Sequence, residues 1–345
     1  MQTELNSIRD EAHLEELLSE PTDGVVRTMG SLEGDIMVLG VAGKMGPTLA
    51  RMAKRASDTA GVKRRVIGAS RFSSPELERR LADWGIETIR CDLLDRNALA
   101  ALPEAANVVY MAGMKFGSTG HEWRTWAMNV YLPGLVAERY RTSRIVVFST
   151  GNVYGLCSVS KGGSREGDEL NPAGEYAMSC LGRERIFEHF SRANGTKMSI
   201  LRLNYASEMR YGVLLDIAQR VNAGRPVSLS MGHLNTIWQR DASAMSLESL
   251  AHATTPPNIL NITGPEILSV RKLAEGFAAR FGKTVTFEGA ESGDALLNNS
   301  SKAFALFGEP PVGIGQMLDW IADWVARGGG TLAKPTHFEE RAGRF

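Results

Sequence analysis

Gly40, Gly43 and Gly46 stand three residues apart in Gly40-Val41-Ala42-Gly43-Lys44-Met45-Gly46. The apolar run Ile36-Met37-Val38-Leu39 precedes them, and Pro47-Thr48-Leu49-Ala50 follows. A strand, a glycine-punctuated turn and a helix start, in that order, suit the paired phosphates of a dinucleotide. The first two glycines let the backbone turn tightly and approach the anion, and the third lets the helix lie close against the strand. N–H groups of the first helical turn then face the phosphates. Lys44 and Met45 lie inside this turn, and Lys44 adds a positive charge near the anion. The other chemistry-bearing types are scattered. Cys91, Cys157 and Cys180 are odd in number and lack metal-ligand spacing, as reduced cytosolic thiols do, and the six histidines show no paired metal spacing, so no metal is expected.

The elements around the turn alternate. Strands are expected at Arg65–Ala69, Ile86–Arg90, Asn107–Met111 and Ser143–Ser149. Helices are expected at Leu49–Ala56, at Pro75–Trp84 behind the cap Ser73-Ser74, and at Trp126–Tyr140. Such alternation implies a doubly wound α/β fold of Rossmann type, a parallel sheet covered on both faces. A short helix near Ile8–Leu18 precedes the first strand. Beyond Tyr176 the pattern is less regular. Helices are expected at Tyr176–Ala193, Gly212–Ala223, Val270–Phe281 and Met317–Val325, the last carrying Trp320 and Trp324 as packing residues. Strands are expected at Lys197–Leu203, Pro226–Met231, Thr236–Gln239, Ile259–Ile262 and Thr284–Phe287. The organisation that follows is a helical extension over 1–33, a dinucleotide-binding domain over 34–200 plus returning segments, a mainly substrate-binding α/β lobe over 201–327, and a tail over 328–345. That tail is expected to dock on a neighbouring subunit or to be disordered.

At 345 residues the chain can bury a large core, and its 39 basic and 39 acidic residues cancel. Nothing electrostatic favours nucleic acid or an anionic membrane as partner. No apolar stretch reaches membrane-spanning length, and the first thirty residues are acidic and polar, unlike a secretory signal. A cytoplasmic protein is expected.

Several motifs in register resemble the extended short-chain dehydrogenase/reductases, also called the NAD-dependent epimerase/dehydratase family, over Gly34 to Ala326. The glycine turn has that family's spacing. Cys91-Asp92-Leu93-Leu94-Asp95 looks like its Asp-Leu segment after the third strand, and the resemblance implies that Asp92 contacts adenine with Leu93 beside it. Met111-Ala112-Gly113 sits where the family has a small-residue turn at the cofactor, and Asn129 matches its structural Asn. Phe148-Ser149-Thr150-Gly151-Asn152-Val153-Tyr154-Gly155 is similar to its active-site strand end. That places Thr150 at the catalytic Ser/Thr position, while Tyr176 matches the catalytic Tyr and Asp241 the Asp that closes the lobe interface. The resemblance also implies a homodimer through the helices near Trp126–Tyr140 and Tyr176–Ala193.

One position departs from the pattern. Where the family has Tyr-x-x-x-Lys, this chain reads Tyr176-Ala177-Met178-Ser179-Cys180. The family's lysine holds the nicotinamide ribose and lowers the tyrosine pKa, and a thiol supplies no positive charge. Free tyrosine has a pKa of about 10, so little of it is ionised at neutral pH without help. Three readings stay open. Another cation takes the role, with Lys115 the nearest by topology and Arg183 less well placed. Alternatively Tyr176 stays neutral and donates a proton beside Thr150. In the third, the chain is a catalytically degenerate dinucleotide-binding regulator or sensor, against which the retention of Thr150 and Tyr176 argues. Cys180 is read as a small residue filling the space left by lysine.

An NAD enzyme usually has an acidic residue after the second strand, to accept hydrogen bonds from the ribose 2′-hydroxyl. Here Ser70 and Arg71 stand instead, chemistry suited to a 2′-phosphate and similar to NADP-using GDP-mannose dehydratases, so NADP is expected, with NAD possible. Extended members commonly act on nucleotide sugars. Arg202, Arg210 and Arg240 are candidates for an anionic group, and His121 and Trp123 for substrate contact. The family's Gly-Pro-Arg after its Asn turn is replaced by Ala206-Ser207-Glu208-Met209-Arg210 behind Asn204-Tyr205. A free sugar or sugar acid is therefore as good a substrate as a nucleotide sugar. The expected activity is NAD(P)-dependent oxidation, reduction or epimerisation at a hydroxyl or carbonyl carbon.

Overall fold

A computed structural model describes residues 7–115, 117 and 119–344. The start of the expected N-terminal extension, residues 116 and 118 of the loop after the fourth strand, and the terminal Phe345 lie outside the described residues. Seven parallel strands build the central sheet: β1 Ile36–Leu39, β2 Val66–Ser70, β3 Glu87–Arg90, β4 Asn107–Tyr110, β5 Arg144–Thr150, β6 Met198–Leu203 and β7 Asn258–Ile262. Their order is β7-β6-β5-β4-β1-β2-β3. β1 and β4 are buried at every residue, as strands covered on both faces must be. β1 pairs with β2 on one side and β4 on the other, Ile36 facing both Val66 and Asn107. The strand order reverses across that point, which opens a crevice at the carboxyl ends of the strands.

Helices cover both faces. α1 Glu11–Leu18 starts at Asp10, whose side chain accepts from the His13 N–H at 2.8 Å. α2 Asp23–Ser31 was not legible in the sequence, because it buries only Val25 and Met29 and contains two glycines. α3 Gly46–Thr59 begins at the last glycine of the turn, and α4 Pro75–Asp83 begins behind Ser74, which accepts from Leu77 N–H. α5 Arg96–Ala100 is a single turn capped by Asp95. The expected continuous helix at Trp126–Tyr140 is broken into α6 Glu122–Trp126, a π-helical turn Ala127–Tyr131 and α7 Leu132–Arg139. A π turn inserts one residue into the helix, and here it turns Asn129 into the core. α8 Gly174–Asn194 follows β5.

The lobe over the carboxyl ends contains α9 Val213–Asn222, α11 Val270–Phe281 and α13 Ile314–Ala326, whereas α10 Gln239–Glu248 returns to pack on α2 and α3, and α12 Ser301–Phe307 on β7. Trp238 and Trp320 pack at 5.3 Å between ring centroids, and Trp324 Nε1 donates to Gly330 O at 3.0 Å, so these tryptophans belong to the core. The expected strands at Pro226–Met231, Thr236–Gln239 and Thr284–Phe287 shrink to Val227–Ser228, Ile237–Trp238 and Phe287–Glu288. Each finds only a two-residue partner segment, so no longer ladder forms.

The tail seats on its own chain rather than standing free of it. Phe338 enters the apolar core of the lobe. Asp216 accepts from both the N–H and the hydroxyl of Thr336, at 2.7 and 2.6 Å. Arg341 pairs with Asp294 at 2.5 Å.

Candidate active site

The carboxyl ends of β1, β4, β5 and β6 open into a cavity of about 290 Å³, roofed by the lobe. One wall is the glycine turn. Gly40 has φ +87°, and a Cβ there would stand 2.8 Å from the Ala112 nitrogen. At Gly46 a Cβ would stand 2.2 Å from Val41 O, so the close seating of α3 on the strand needs glycine. Gly43 has no such neighbour closer than Gly40 O at 3.3 Å, and it faces the cavity with Gly40, Lys44, Met45 and Gly46. Bare backbone at the start of a 14-residue helix, open to a cavity, fits a diphosphate.

At the adjoining rim, Ser70 ends β2 half-buried and Arg71 is exposed, with no ion pair among the described residues. Phe72 next to it has φ +47° yet is only 3% exposed. A bulky residue holds that conformation only when its surroundings impose it. Here the buried ring pins the turn that presents Arg71. Asp92 is exposed and accepts from Leu94 N–H at 3.1 Å, while Leu93 is buried. Ser70, Arg71, Asp92 and Leu93 sit together at the ends of β2 and β3 but do not line the cavity. Met111 and Gly113 do, and Ala112 is buried behind Gly40.

Thr150 ends β5 and accepts from Asn152 N–H at 3.2 Å. Tyr176, in the first turn of α8, is hydrogen-bonded to the side chains of Thr150 and Cys180. Burial, with Cys180 beside it, pushes the Tyr176 hydroxyl above its ordinary range; the Arg183 charge and the Thr150 hydrogen bond pull the other way. Lys115 Nζ lies 5.7 Å from the Tyr176 ring centroid. Burial lowers the Lys115 pKa to about 8, against the raising effects of Cys180 and Asp216. The structure therefore brings Thr150, Tyr176 and Lys115 to one cavity.

Arg183, which the sequence ranked behind Lys115, also lines that cavity. It donates to Phe148 O at 2.7 Å and to Asn129 Oδ1 at 2.6 Å. A Cβ on Gly113 would stand 2.5 Å from its Nη2, so the small residue there clears the path of the guanidinium. Asn129 also receives Met114 N–H at 2.9 Å and donates to Ser179 Oγ at 3.0 Å, which ties the β4 exit loop to α8. Lys44 does not lie along the turn: its Nζ sits 3.2 Å from the Tyr211 ring centroid, on the lobe side. Burial, then the charges of Lys115 and Lys334, lower its pKa to about 7.

Three sequence expectations fail at the arginines. Arg202 is consumed by Glu184 at 2.8 Å, Arg210 by Glu208 and Glu15, both at 3.3 Å, and Arg240 by Asp241 at 3.0 Å. None lines the cavity, because each has a carboxylate close by that satisfies it. His121 and Trp123 are exposed and also fall outside the cavity. Sequence reasoning missed Tyr211, Gln239 and Thr336, which the lobe and tail bring in from distant positions. Tyr205 lines the cavity as well, at φ +44°, a conformation that no glycine or asparagine at that position announces. Among the described residues, no cluster of three His, Cys, Asp or Glu can hold a metal.

This fold is that of a known family. The model of the NAD dependent epimerase/dehydratase family matches residues 36–236, and the chain belongs to that family. No curated protein matches the chain. Among solved structures, it is similar to a dTDP-glucose 4,6-dehydratase from Bacillus anthracis in complex with NAD, at TM-score 0.72 and 16% identity, over 86% of this chain and 97% of that one. It is also similar to a UDP-glucose 4-epimerase from Thermotoga maritima with UDP-glucose, at TM-score 0.70 and 19% identity, over 85% and 99%. A UDP-glucuronic acid 4-epimerase from Bacillus cereus, in complex with UDP-glucuronic acid and NAD, matches at TM-score 0.69 and 18% identity, over 85% and 99%.

Proposed function

We propose that the chain is a nicotinamide dinucleotide-dependent oxidoreductase or epimerase acting at a hydroxyl or carbonyl carbon of a sugar, sugar acid or nucleotide sugar. The observation that carries this reading is the meeting of Thr150 and Tyr176 in one cavity with the glycine turn. When bound, the dinucleotide supplies the hydride donor or acceptor. The backbone of Gly43, Lys44 and Met45 would hold its phosphates, Met111 and Gly113 would flank it, and Ser70, Arg71, Asp92 and Leu93 would take the ribose and adenine. Thr150 binds the substrate oxygen. Tyr176, kept neutral by burial, gives that oxygen its proton in reduction and takes it back in oxidation. Lys115 and Arg183 together supply the positive charge that Cys180 cannot, and stabilise the phenolate left behind. In this reading residues 34–200 with returning segments hold the dinucleotide, and 201–327 mainly hold substrate. A panel of sugars, sugar acids and nucleotide sugars tests it, with net consumption of dinucleotide reporting oxidation or reduction and chromatographic interconversion of the sugar reporting epimerisation, which returns the hydride and consumes none. Turnover with none of them, alongside tight dinucleotide binding, would favour the regulator reading.

Arg71 supports NADP as the dinucleotide, since an exposed guanidinium on a pinned turn is free to pair with a 2′-phosphate. Arg71→Asp is expected to lower the NADP-to-NAD affinity ratio by about tenfold or more, as loss of a charged hydrogen bond implies. Fluorescence titration with both reduced dinucleotides measures it, and an unchanged ratio refutes the assignment.

Among the described residues the exposed large hydrophobics are Trp123, Trp126, Tyr131, Met178 and Leu306. The first four lie on α6, the π turn and α8, which supports a homodimer through those helices. Tyr131→Glu combined with Met178→Glu is expected to halve the mass seen by light scattering; an unchanged mass would exclude this interface. No helix among the described residues is long and apolar enough to cross a membrane, and all three cysteines are free, which supports a cytoplasmic protein.

A further inference from the structure

Arg210 fails as an anion binder, and two of the carboxylates that consume it come from the far end of the chain. Glu11 and Glu15 of α1 meet it at 3.4 and 3.3 Å. Glu208 accepts from Arg210 Nε at 3.3 Å and from the Arg210 backbone N–H at 2.9 Å. Glu15, Glu208 and Arg210 are buried. Such a cluster is a poor source of net stability, because desolvation offsets the attraction. Its directional guanidinium contacts hold geometry.

The geometry held is that of a cavity wall. Arg210 sits in a turn that closes on itself, with Glu208 N–H donating to Tyr211 O at 2.9 Å. Tyr211, the next residue, lines the cavity, and the Lys44 ammonium stands 3.2 Å from its ring centroid. That contact crosses from the lobe to the glycine turn, at whose end α3 begins. α1 grips this other side as well. Glu16 pairs with Arg51 at 2.6 Å and Arg55 at 2.9 Å, both on α3, and Glu15 reaches Arg80 of α4 at 2.9 Å. On the lobe side, Ile8, Leu14 and Leu18 enter the apolar core, and Arg327 donates to Ile8 O at 2.7 Å. One helix outside the sheet thus holds both ends of the Lys44–Tyr211 contact.

We infer that α1 sets the spacing between the glycine turn and the lobe wall across the cavity, with Arg210 as the positioning residue that transmits its hold to Tyr211. This rests on the oxidoreductase reading only for the identity of the cavity as the active site. Arg210 does not line the cavity and acts through Tyr211. With that ring fixed, the Lys44 side chain is ordered before any ligand arrives. Dinucleotide binding to the backbone of the same turn then loses less side-chain freedom.

The test uses the full chain and the double variant Glu11→Gln with Glu15→Gln, which removes both α1 carboxylates from Arg210 and leaves Glu208 to pair with it. Arg80→Met is the comparison, since it breaks an α1 ion pair on the sheet side without touching Arg210. Competitive labelling with acetic anhydride over a pH series, read by mass spectrometry, follows Lys44. Its pKa is lowered to about 7 by burial first, then by the charges of Lys115 and Lys334, with Asp216 acting the other way. Release of Tyr211 admits water to the ammonium, so the double variant is expected to raise the Lys44 midpoint by about one pH unit or more. Loss of two carboxylates acting only at a distance would lower it, so the sign separates the two effects. Fluorescence titration with reduced dinucleotide is expected to show binding weaker by about two- to tenfold, the value of one side chain's order. Arg80→Met should change neither quantity. Thermal unfolding checks that the variants fold, and if the double variant does not, Glu15→Gln alone carries the same expectations. A Lys44 midpoint that does not rise overturns the inference, as does unchanged dinucleotide affinity. An equal response in Arg80→Met also overturns it, by showing a general loosening of α1. If the unaltered chain binds no dinucleotide, the oxidoreductase reading falls, and the Lys44 midpoint still decides this inference.

Discussion

Tyr176→Phe is expected to lower kcat by about 10³ while leaving dinucleotide affinity within about twofold, since positioned proton transfer contributes roughly 10²–10⁴. The substitution removes one hydroxyl, whose partners are the side chains of Thr150 and Cys180, and leaves the buried ring in place. Steady-state turnover and a fluorescence titration measure the two quantities separately. A fall of less than tenfold would remove Tyr176 from the proton path. The pH dependence follows from Lys115. Its pKa is lowered to about 8, so the ammonium that assists the phenolate is present below that pH and lost as pH rises through it. Turnover should therefore decline above about pH 8, and Lys115→Met should remove that limb along with part of the rate. Stability moves in the opposite sense. Because Lys44 and Lys115 release protons in the folded state at about 7 and 8 and in the unfolded chain near 10.5, the unfolded state binds more protons across that window. Folding stability gains from these two groups as pH rises through it.

Arg202→Met is expected to destabilise the fold by about 3–5 kcal/mol, the usual cost of leaving one member of a buried ion pair uncompensated. Arg202 and Glu184 are each 3% exposed at the side chain and meet at 2.8 Å. Arg202 also donates to Tyr154 OH at 2.7 Å, and Glu184 accepts from Ser149 Oγ at 2.5 Å. The pair joins β6 to α8 directly behind Thr150, so its loss should also disturb the distance between Thr150 and Tyr176. Urea denaturation measures the stability. The double variant Arg202→Met with Glu184→Leu should recover most of it, because no charge is then stranded. A single-variant loss below about 1 kcal/mol would show that water reaches Glu184 and that the pair is not sealed.

The seven-stranded sheet and the glycine turn were legible from residue order because local chemistry sets them. Ile36–Leu39 has nowhere to go but a sheet covered on both faces, and Gly46 is demanded by the carbonyl of Val41 a few residues away. Thr150, Tyr176 and Asn129 were legible through the family's motifs. What could not be read was which arginines are already paired. Arg202, Arg210 and Arg240 look alike in a string of letters, and a carboxylate supplied from another element neutralises each one. Lys115 and Arg183 were both in view, and both line the cavity, the bare backbone of Gly113 leaving room for the guanidinium.

The identity of each strand, and the presence of an anion-facing turn, followed from periodicity and glycine placement, since these depend on contacts spanning a few residues. The closure of the cavity did not. Thr336 reaches Asp216 across 120 positions, Tyr211 comes under Lys44 from the far lobe, and the tail folds back on its own chain. Such contacts depend on complementary surfaces that exist only after the sheet and lobe have packed. No local pattern encodes them.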